Sequence, residues 1–312
     1  MGGSKYHFRF FLKSFPCPPC FPCSPKRLYI FLVGSPLGGG TTQNRTCAFL
    51  GERLCHRKAN LTTILKKSSK KLMSKKSDSQ FKNLFSSPKS TNWDERLAQI
   101  AYRFNREYQR ETFELPAEVQ AMPIFREWIG GSFSGRIASP FWEIAKPQKN
   151  QHCIDIGCGI SFLIYSWRDW QAFFYGQEIS NVARDTLNSR GPQLNSKLFK
   201  GVELGAAHQL NYPSEQFDIA IATGFSCYFP LEYWNAVLVE VKRVLKPGGH
   251  FVFDVLNPEQ PLAEDWAVLE TYLGAEVFLE PLAKWEKTIK AAGTKIVTHK
   301  SGELFELYKV RF

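Results

Sequence analysis

An acid and two glycines carry the clearest chemical signal in this chain. Asp155 lies in an apolar run, and Gly157 and Gly159 follow it with only Cys158 between them. Glycine lacks a Cβ and tolerates positive φ, so a ligand can approach the backbone closely at such a turn. The acid would repel the pyrophosphate of a dinucleotide and attract an ammonium or sulfonium group. The motif favours a nucleotide-like ligand that carries positive charge.

Three further segments support this interpretation, because a glycine turn alone is a weak signal. Glu178 lies near the end of a second strand-like run, at a spacing that suits a carboxylate holding both hydroxyls of a ribose. Phe217 and Asp218 open a third buried run. The segment Leu245–Gly249 reads as a helix end followed by a Pro-Gly-Gly turn and a further buried strand.

In this order the segments resemble the class I S-adenosylmethionine (SAM)-dependent methyltransferases that mostly act on small molecules. The resemblance covers residues 140–312. It implies an α/β fold with a doubly wound, seven-stranded Rossmann-like sheet, mostly parallel with a C-terminal antiparallel hairpin, and helices before it. It also implies SAM as the cofactor and a small-molecule acceptor as the substrate.

The resemblance assigns roles to residues of the glycine motif. Asp155 would lie near the methionine ammonium of SAM. The backbone of Gly157, Cys158 and Gly159 would face its methionine and ribose parts. Glu178 would hold the ribose hydroxyls. The alternative for Asp155 and Glu178 is a pair of solvated acids at strand ends.

Further cofactor contacts are implied around the adenine. Ile179 would pack on the ring, and Thr223 would line the site at the end of the fourth strand. The family often has an Asp where this chain has Ala206, so only backbone contacts from Ala206 and Ala207 would remain. A third glycine of the motif is replaced by Ser161.

The catalytic residues are harder to predict. Methyl transfer is an in-line displacement at an activated carbon, so alignment can lower the barrier without a triad or metal. His208 lies on a loop at the cofactor end, and Tyr228 lies in an aromatic loop expected to face the transferred methyl. Both are candidates for catalysis, although packing is an alternative for each. Glu232 and Tyr233 could also position the substrate.

Residues 92–150 are expected to be helical and to form either a lid over the ligand cleft or a packed layer. One helix carries an apolar stripe of period 3.6: Trp93, Leu97, Ile100, Ala101, Phe104 and Tyr108. A flexible break is predicted at Gly130–Gly135, followed by a helix over Ser139–Ala145.

Strands and helices are predicted to alternate from residue 150 onward. The predicted strands are His152–Ile156, Phe173–Ile179, Lys197–Glu203, Asp218–Ala222, His250–Leu256 and a final hairpin of Lys295–His299 and Leu304–Val310. The predicted helices are Asn181–Ser189, Leu231–Leu245, Leu262–Leu273 and Leu282–Ala292. The domain is therefore expected to span residues 91–312.

Residues 1–90 are predicted to be a disordered basic tail. The whole chain carries a net charge of +11, but residues 1–77 hold 15 basic residues and one acid, which leaves a net −3 for the remainder. Either this segment is an organelle transit peptide, plastid or other, or the native protein starts at Met73; the second is favoured because no amphipathic pattern is present. A basic tail that binds nucleic acid or a membrane is the third and least favoured alternative.

The cysteines favour a reducing, cytoplasmic location. Cys153, Cys158 and Cys227 lie in or beside predicted core strands, where they resemble small apolar residues. The tail spacing Cys17-x-x-Cys20-x-x-Cys23 lacks a fourth ligand, so no metal site is predicted. Nucleic-acid binding and a membrane span are not expected, and the oligomeric state stays open.

Two rival functions remain. A nicotinamide-dependent oxidoreductase would share the alternating fold, but the acid before the glycines opposes it. A non-catalytic methyltransferase-like binding protein would keep the fold and lose the cofactor contacts, as Ala206 could indicate.

Overall fold

The computed structural model describes residues 93–160, 167–195 and 197–312. The predicted basic tail and Ser161 lie outside the described residues. Within them, no helix has the length and apolar character needed to cross a membrane.

A seven-stranded mixed sheet forms the centre of the domain, as predicted. The strand order is β3-β2-β1-β4-β5-β7-β6. Strands β1 to β5 pair in parallel, and β7 runs antiparallel to both β5 and β6. The strands are β1 His152–Ile156, β2 Phe173–Glu178, β3 Phe199–Leu204, β4 Phe217–Ala222, β5 Leu245–Leu256, β6 Lys295–Ser301 and β7 Phe305–Arg311.

Helices precede the sheet and connect its strands. Those before β1 are α1 Asp94–Tyr108, α2 Ala117–Gln120, α3 Pro123–Ile129, α4 Ser132–Ile137 and α5 Trp142–Ala145. The later ones are α6 Trp167–Trp170, α7 Asn181–Asn195, α8 Leu231–Val244, α9 Ala263–Leu273 and α10 Leu282–Ala291. A short 3₁₀ turn, Ser226–Tyr228, follows β4.

Two local predictions before the sheet were wrong. The glycine-rich stretch expected to be a flexible break contains α4, which begins after Gly131 at a φ of 73°. The helix expected from Ser139 begins only at Trp142. Pro140 explains the second error, because the residue before a proline is pushed out of the helical region.

Two boundaries within the sheet region also differ from the predictions. The Pro-Gly-Gly segment forms an irregularity inside β5 instead of a turn before it: Phe217 pairs with Leu245, yet Ile219 pairs with His250. Gly248 has a φ of 81°, which suits such a bulge. Helix α7 continues beyond the predicted Ser189 to Asn195, with Pro192 inside it.

Aromatic rings form the core between α8 and the sheet. Trp234 of α8 is fully buried and stacks on Phe253 of β5, with ring centroids 5.6 Å apart. It also stacks on Phe225 at 5.2 Å and meets Trp285 of α10 edge-on at 5.4 Å. This packing supports the loop that follows β4.

A buried carboxylate fixes the carboxyl edge of the sheet beside that loop. Asp254 of β5 accepts hydrogen bonds from Ser139 Oγ at 2.6 Å and from the backbone N–H of Gly224 at 2.8 Å. Burial raises the pKa of Asp254 from 3.8 to about 6, against the effect of these two donors. The same carboxylate thus joins the segment before α5 to the end of β4.

The aromatic core gives a stability prediction. Trp234→Ala should lower the free energy of unfolding by about 3–5 kcal/mol, since a large buried side chain leaves a cavity. Val239→Ala on the same helix is the matched control, because Val239 is 69% exposed. Urea denaturation followed by circular dichroism measures both, and equal losses would contradict this description of the core.

Asp254 gives a prediction about pH. The native carboxyl binds its proton more tightly than the unfolded one, so its contribution to stability falls as pH rises from about 4 to about 6. Asp254→Asn keeps an acceptor for Gly224 and removes that ionisation. As pH rises from about 4 to about 7, the unfolding free energy of the variant should increase relative to that of the wild type by up to about 3 kcal/mol.

A stability difference between the two proteins that stays constant with pH would contradict the raised pKa. The measurement is urea unfolding of both proteins across that range.

Candidate functional site

The glycine turn after β1 adopts the conformation that its residues allow. Gly157 and Gly159 have φ values of +66° and +49°, a region that other residues rarely adopt. The N–H of Gly157 donates to the carbonyl of Gln177 at 2.7 Å, which attaches the turn to β2. A Cβ on Gly157 would lie only 2.8 Å from the ring of Phe225. Gly157 and Gly159 therefore both have the positive φ for which the sequence analysis invoked glycine.

Glu178 holds the glycine turn and the end of β2 together. Its Oε2 accepts from the backbone N–H of Gly159 at 2.8 Å, and its Oε1 accepts from the N–H of Ser180 at 2.9 Å. The side chain is 95% buried, and burial raises its pKa despite these donors. A carboxylate oxygen accepts more than one hydrogen bond, so both oxygens retain capacity for the hydroxyls of a ligand.

Asp155 lies in β1 just before the turn, and Cys158 lies within the turn between its two glycines. Asp155 is 1% exposed and lies in β1 between Gly176 of β2 and Ile221 of β4. Burial raises the pKa of Cys158 well above its ordinary value, so the thiol stays protonated. Cys158 Sγ lies 3.0 Å from the position of a Cβ on Gly176, which identifies it as a packing residue whose backbone faces the turn.

The loop after β3 is fixed by Gln177, which the sequence did not single out. Gln177 Nε2 donates to the carbonyls of Ala206 at 2.7 Å and of Gln209 at 2.9 Å. Its Oε1 accepts from the N–H of Asn211. Ala206 and Ala207 are both buried. This loop thus lies beside the end of β2, next to Ile179, although Ala206 offers no carboxylate.

Thr223 follows β4 directly and is half-buried. The next residue, Gly224, has a φ of +80° and donates its N–H to Asp254. The chain then places the ring of Phe225 against Gly157. The end of β4 and the glycine turn therefore meet, as the parallel order of β1 and β4 requires.

His208 lies against α8. Its Nδ1 is 3.4 Å from the hydroxyl of Tyr233, and the two rings meet edge-on. Burial lowers the pKa of His208, although the carboxylates of Asp94 and Glu240 oppose the shift. The imidazole is neutral near pH 7 and could accept a proton, but these neighbours belong to α1 and α8 and none belongs to the glycine turn.

Tyr228 is fully buried below α1. Its ring meets Phe104 edge-on with centroids 5.4 Å apart, and its hydroxyl hydrogen-bonds the carboxylate of Glu270. Burial and that carboxylate raise the pKa of Tyr228 well above 10, so its phenol keeps its proton. These contacts suit packing and hydrogen-bond donation, and a role as a base in its ionised form is disfavoured.

A buried ion pair that sequence reasoning missed connects α1 to α9. Arg103 donates through Nε to Glu270 Oε2 at 2.9 Å and through a terminal nitrogen to Oε1 at 2.8 Å. The side chains are 2% and 1% exposed. Since Arg103 and Glu270 are 167 positions apart, no local pattern could have identified the pair.

Aromatic side chains, most of them buried, pack together where α1, α4 and α9 meet. Phe104 packs on Tyr228, and Phe133 packs on Trp266 with centroids 5.5 Å apart. Within residues 93–160, 167–195 and 197–312, no cluster of three or more His, Cys, Asp or Glu residues could hold a metal ion.

Comparison with known proteins gives one family and several relatives. Residues 154–253 match the model of a methyltransferase domain. The chain is 29% identical over 110 residues to the sterol 4-C-methyltransferase of Caenorhabditis elegans. The aligned residues make up 35% of this chain and 32% of that protein. It is 29% identical over 96 residues to a probable phthiotriol/phenolphthiotriol dimycocerosates methyltransferase of Mycobacterium ulcerans. Those residues make up 31% of this chain and 29% of that protein. The matched segment thus spans about a third of these curated relatives.

Among solved structures, the geranyl diphosphate C-methyltransferase of Streptomyces coelicolor shares the fold. The superposition has a TM-score of 0.51 at 14% identity and covers 71% of this chain and 99% of that structure. The match of residues 154–253 includes the glycine turn, Glu178 and β4, and the sheet order agrees with the fold. Residues 154–253 are therefore similar to a methyltransferase domain, and the sheet has the Rossmann-like fold of the class I SAM-dependent methyltransferases.

Proposed function

We propose that this protein transfers a methyl group from SAM to a small organic acceptor at O, N or C. The observation that carries the proposal is the Glu178 carboxylate, held by the N–H groups of Gly159 and Ser180 at the carboxyl end of a parallel strand. Ligands of open α/β sheets bind at that edge.

The residues present fit SAM. Two glycines with positive φ leave the backbone accessible, and Asp155 places a carboxyl group just before the turn. Glu178 would hold the ribose hydroxyls, with Ile179, Ala206 and Ala207 beside the adenine. Thr223 would complete the site at the end of β4. SAM supplies a methyl group that its positive sulfur already activates.

The protein's contribution is to hold donor and acceptor in line and to exclude water. Positioning of this kind can lower a barrier by about 7–11 kcal/mol at best. His208 is proposed as a base only where the acceptor must lose a proton, since its lowered pKa leaves it neutral at pH 7. Tyr228 is proposed to act through packing alone, because its phenol is buried and already donates to Glu270.

The relatives that this chain resembles favour an apolar acceptor. The relatives named above are a sterol 4-C-methyltransferase and a probable phthiotriol/phenolphthiotriol dimycocerosates methyltransferase, and the protein that shares the fold is a geranyl diphosphate C-methyltransferase. We propose an acceptor with a ring or isoprenoid portion.

The cofactor assignment predicts thermal stabilisation. S-adenosylhomocysteine at about 100 times its Kd should stabilise the full chain by about 2.7 kcal/mol, which corresponds to a Tm rise of about 5–10 °C. Differential scanning fluorimetry with SAM and with S-adenosylhomocysteine measures the rise. Glu178→Ala and Glu178→Gln should lose most of it.

Glu203→Ala is the matched control, because Glu203 is an exposed carboxylate on the neighbouring β3. The Tm of each unliganded variant reports any loss of folding. No rise with either ligand in the wild type would contradict the methyltransferase mechanism, and a rise with NAD instead would favour the oxidoreductase.

The acceptor assignment predicts a turnover pattern. Release of S-adenosylhomocysteine should be faster with ring or isoprenoid acceptors than with amino acids or nucleosides of similar size. A mass-spectrometric screen measures both the release and the methylated product. Cofactor binding without release for any acceptor would favour the non-catalytic binding protein.

A further inference from the structure

Tyr108, the last residue of α1, places its hydroxyl at the glycine turn. A Cβ on Gly159 would lie 2.9 Å from Tyr108 Oη, so the phenol lies against the side of this glycine that carries no side chain. Gly159 is also the residue whose N–H is held by Glu178. The phenol therefore reaches the part of the turn where the family's cofactor is expected.

The backbone around Tyr108 places this ring at the end of α1. Helix α1 ends at Tyr108, and the N–H of Arg110 donates to the carbonyl of Glu107. Arg110 has a φ of +61°, a conformation that costs a non-glycine residue free energy. The chain thus turns away directly after Tyr108 and leaves its side chain at the tip of the helix.

Two buried polar contacts hold this end of α1 in register with the site. Ser180 Oγ donates to Asn105 Oδ1 at 2.6 Å, and Ser180 directly follows the Glu178–Ile179 pair. The bidentate contact of Arg103 with Glu270 is the second. Because both contacts lie within five residues of Tyr108, the phenol is oriented before a ligand arrives.

The surroundings of the phenol make it a hydrogen-bond donor. Burial and the nearby Glu178 carboxylate raise the pKa of Tyr108 well above 10. The hydroxyl therefore keeps its proton at neutral pH and can donate to an oxygen of a ligand in the turn. The apolar stripe explains why residues 97, 100 and 101 are buried, but it does not require a hydroxyl at position 108.

We propose that Tyr108 is a cofactor-binding residue, so that α1 forms one wall of the SAM site through this phenol. The proposal rests on the proposed function, because it takes SAM to be the ligand of the turn. It gives α1 a specific contact with the cofactor in addition to its packing on the domain.

The test is the Kd of S-adenosylhomocysteine measured by isothermal titration calorimetry on the full chain. Tyr108→Phe removes only the hydroxyl and should weaken binding about 3- to 10-fold, the effect of one neutral hydrogen bond. Tyr108→Ala should weaken it at least as much. Tyr102→Phe, on the same helix at a residue that is 47% exposed, should leave the Kd unchanged.

The unliganded Tm of Tyr108→Phe separates binding from packing, since a purely structural role would change the Tm and leave the Kd the same. An unchanged Kd in Tyr108→Phe would overturn the proposal, and tighter binding would show instead that the phenol obstructs the site. If the wild type binds and Glu178→Gln does not, the proposed function stands whatever Tyr108 does. If the wild type does not bind, both fail.

Discussion

The contact between one buried carboxylate and two backbone N–H groups organises this site. Glu178 joins Gly159 of the β1 turn to Ser180 after β2, and the N–H of Gly157 adds a bond to the carbonyl of Gln177. A buried carboxylate is costly unless donors satisfy it, so the turn and the strand end stabilise each other. Every other element of the site is positioned relative to this pair of strands.

The helix α1 depends on polar contacts as much as on its apolar stripe. A buried ion pair such as Arg103–Glu270 adds little net stability compared with apolar packing, but removing one partner leaves a buried charge, which is strongly unfavourable. We infer that the pair specifies where α1 sits over α9. Together with Asn105 and Ser180, it fixes the register of the helix against the carboxyl edge of the sheet.

Much of the fold follows from local sequence, and the predictions that were wrong have physical explanations. The parallel order and the glycine turn were predictable because apolar runs and positive-φ glycines are local signals. Helix α5 begins later than predicted because Pro140 keeps Ser139 out of the helical region, and the bulge in β5 was not predicted because pairing with β4 decides it. Within the site, Glu178 was predictable from spacing, whereas the contacts of Gln177, Arg103 and Tyr108 join residues distant in sequence and required the tertiary structure.

If Glu178 holds the ribose of the cofactor, removing a ribose hydroxyl from the ligand must weaken binding. Isothermal titration calorimetry would measure S-adenosylhomocysteine against its 2′-deoxyribose analogue. A hydrogen bond to a charged group predicts about 10- to 100-fold weaker binding of the analogue to the wild type, and a much smaller difference in Glu178→Gln. Equal affinities in the wild type, or a difference that persists in Glu178→Gln, would contradict the account.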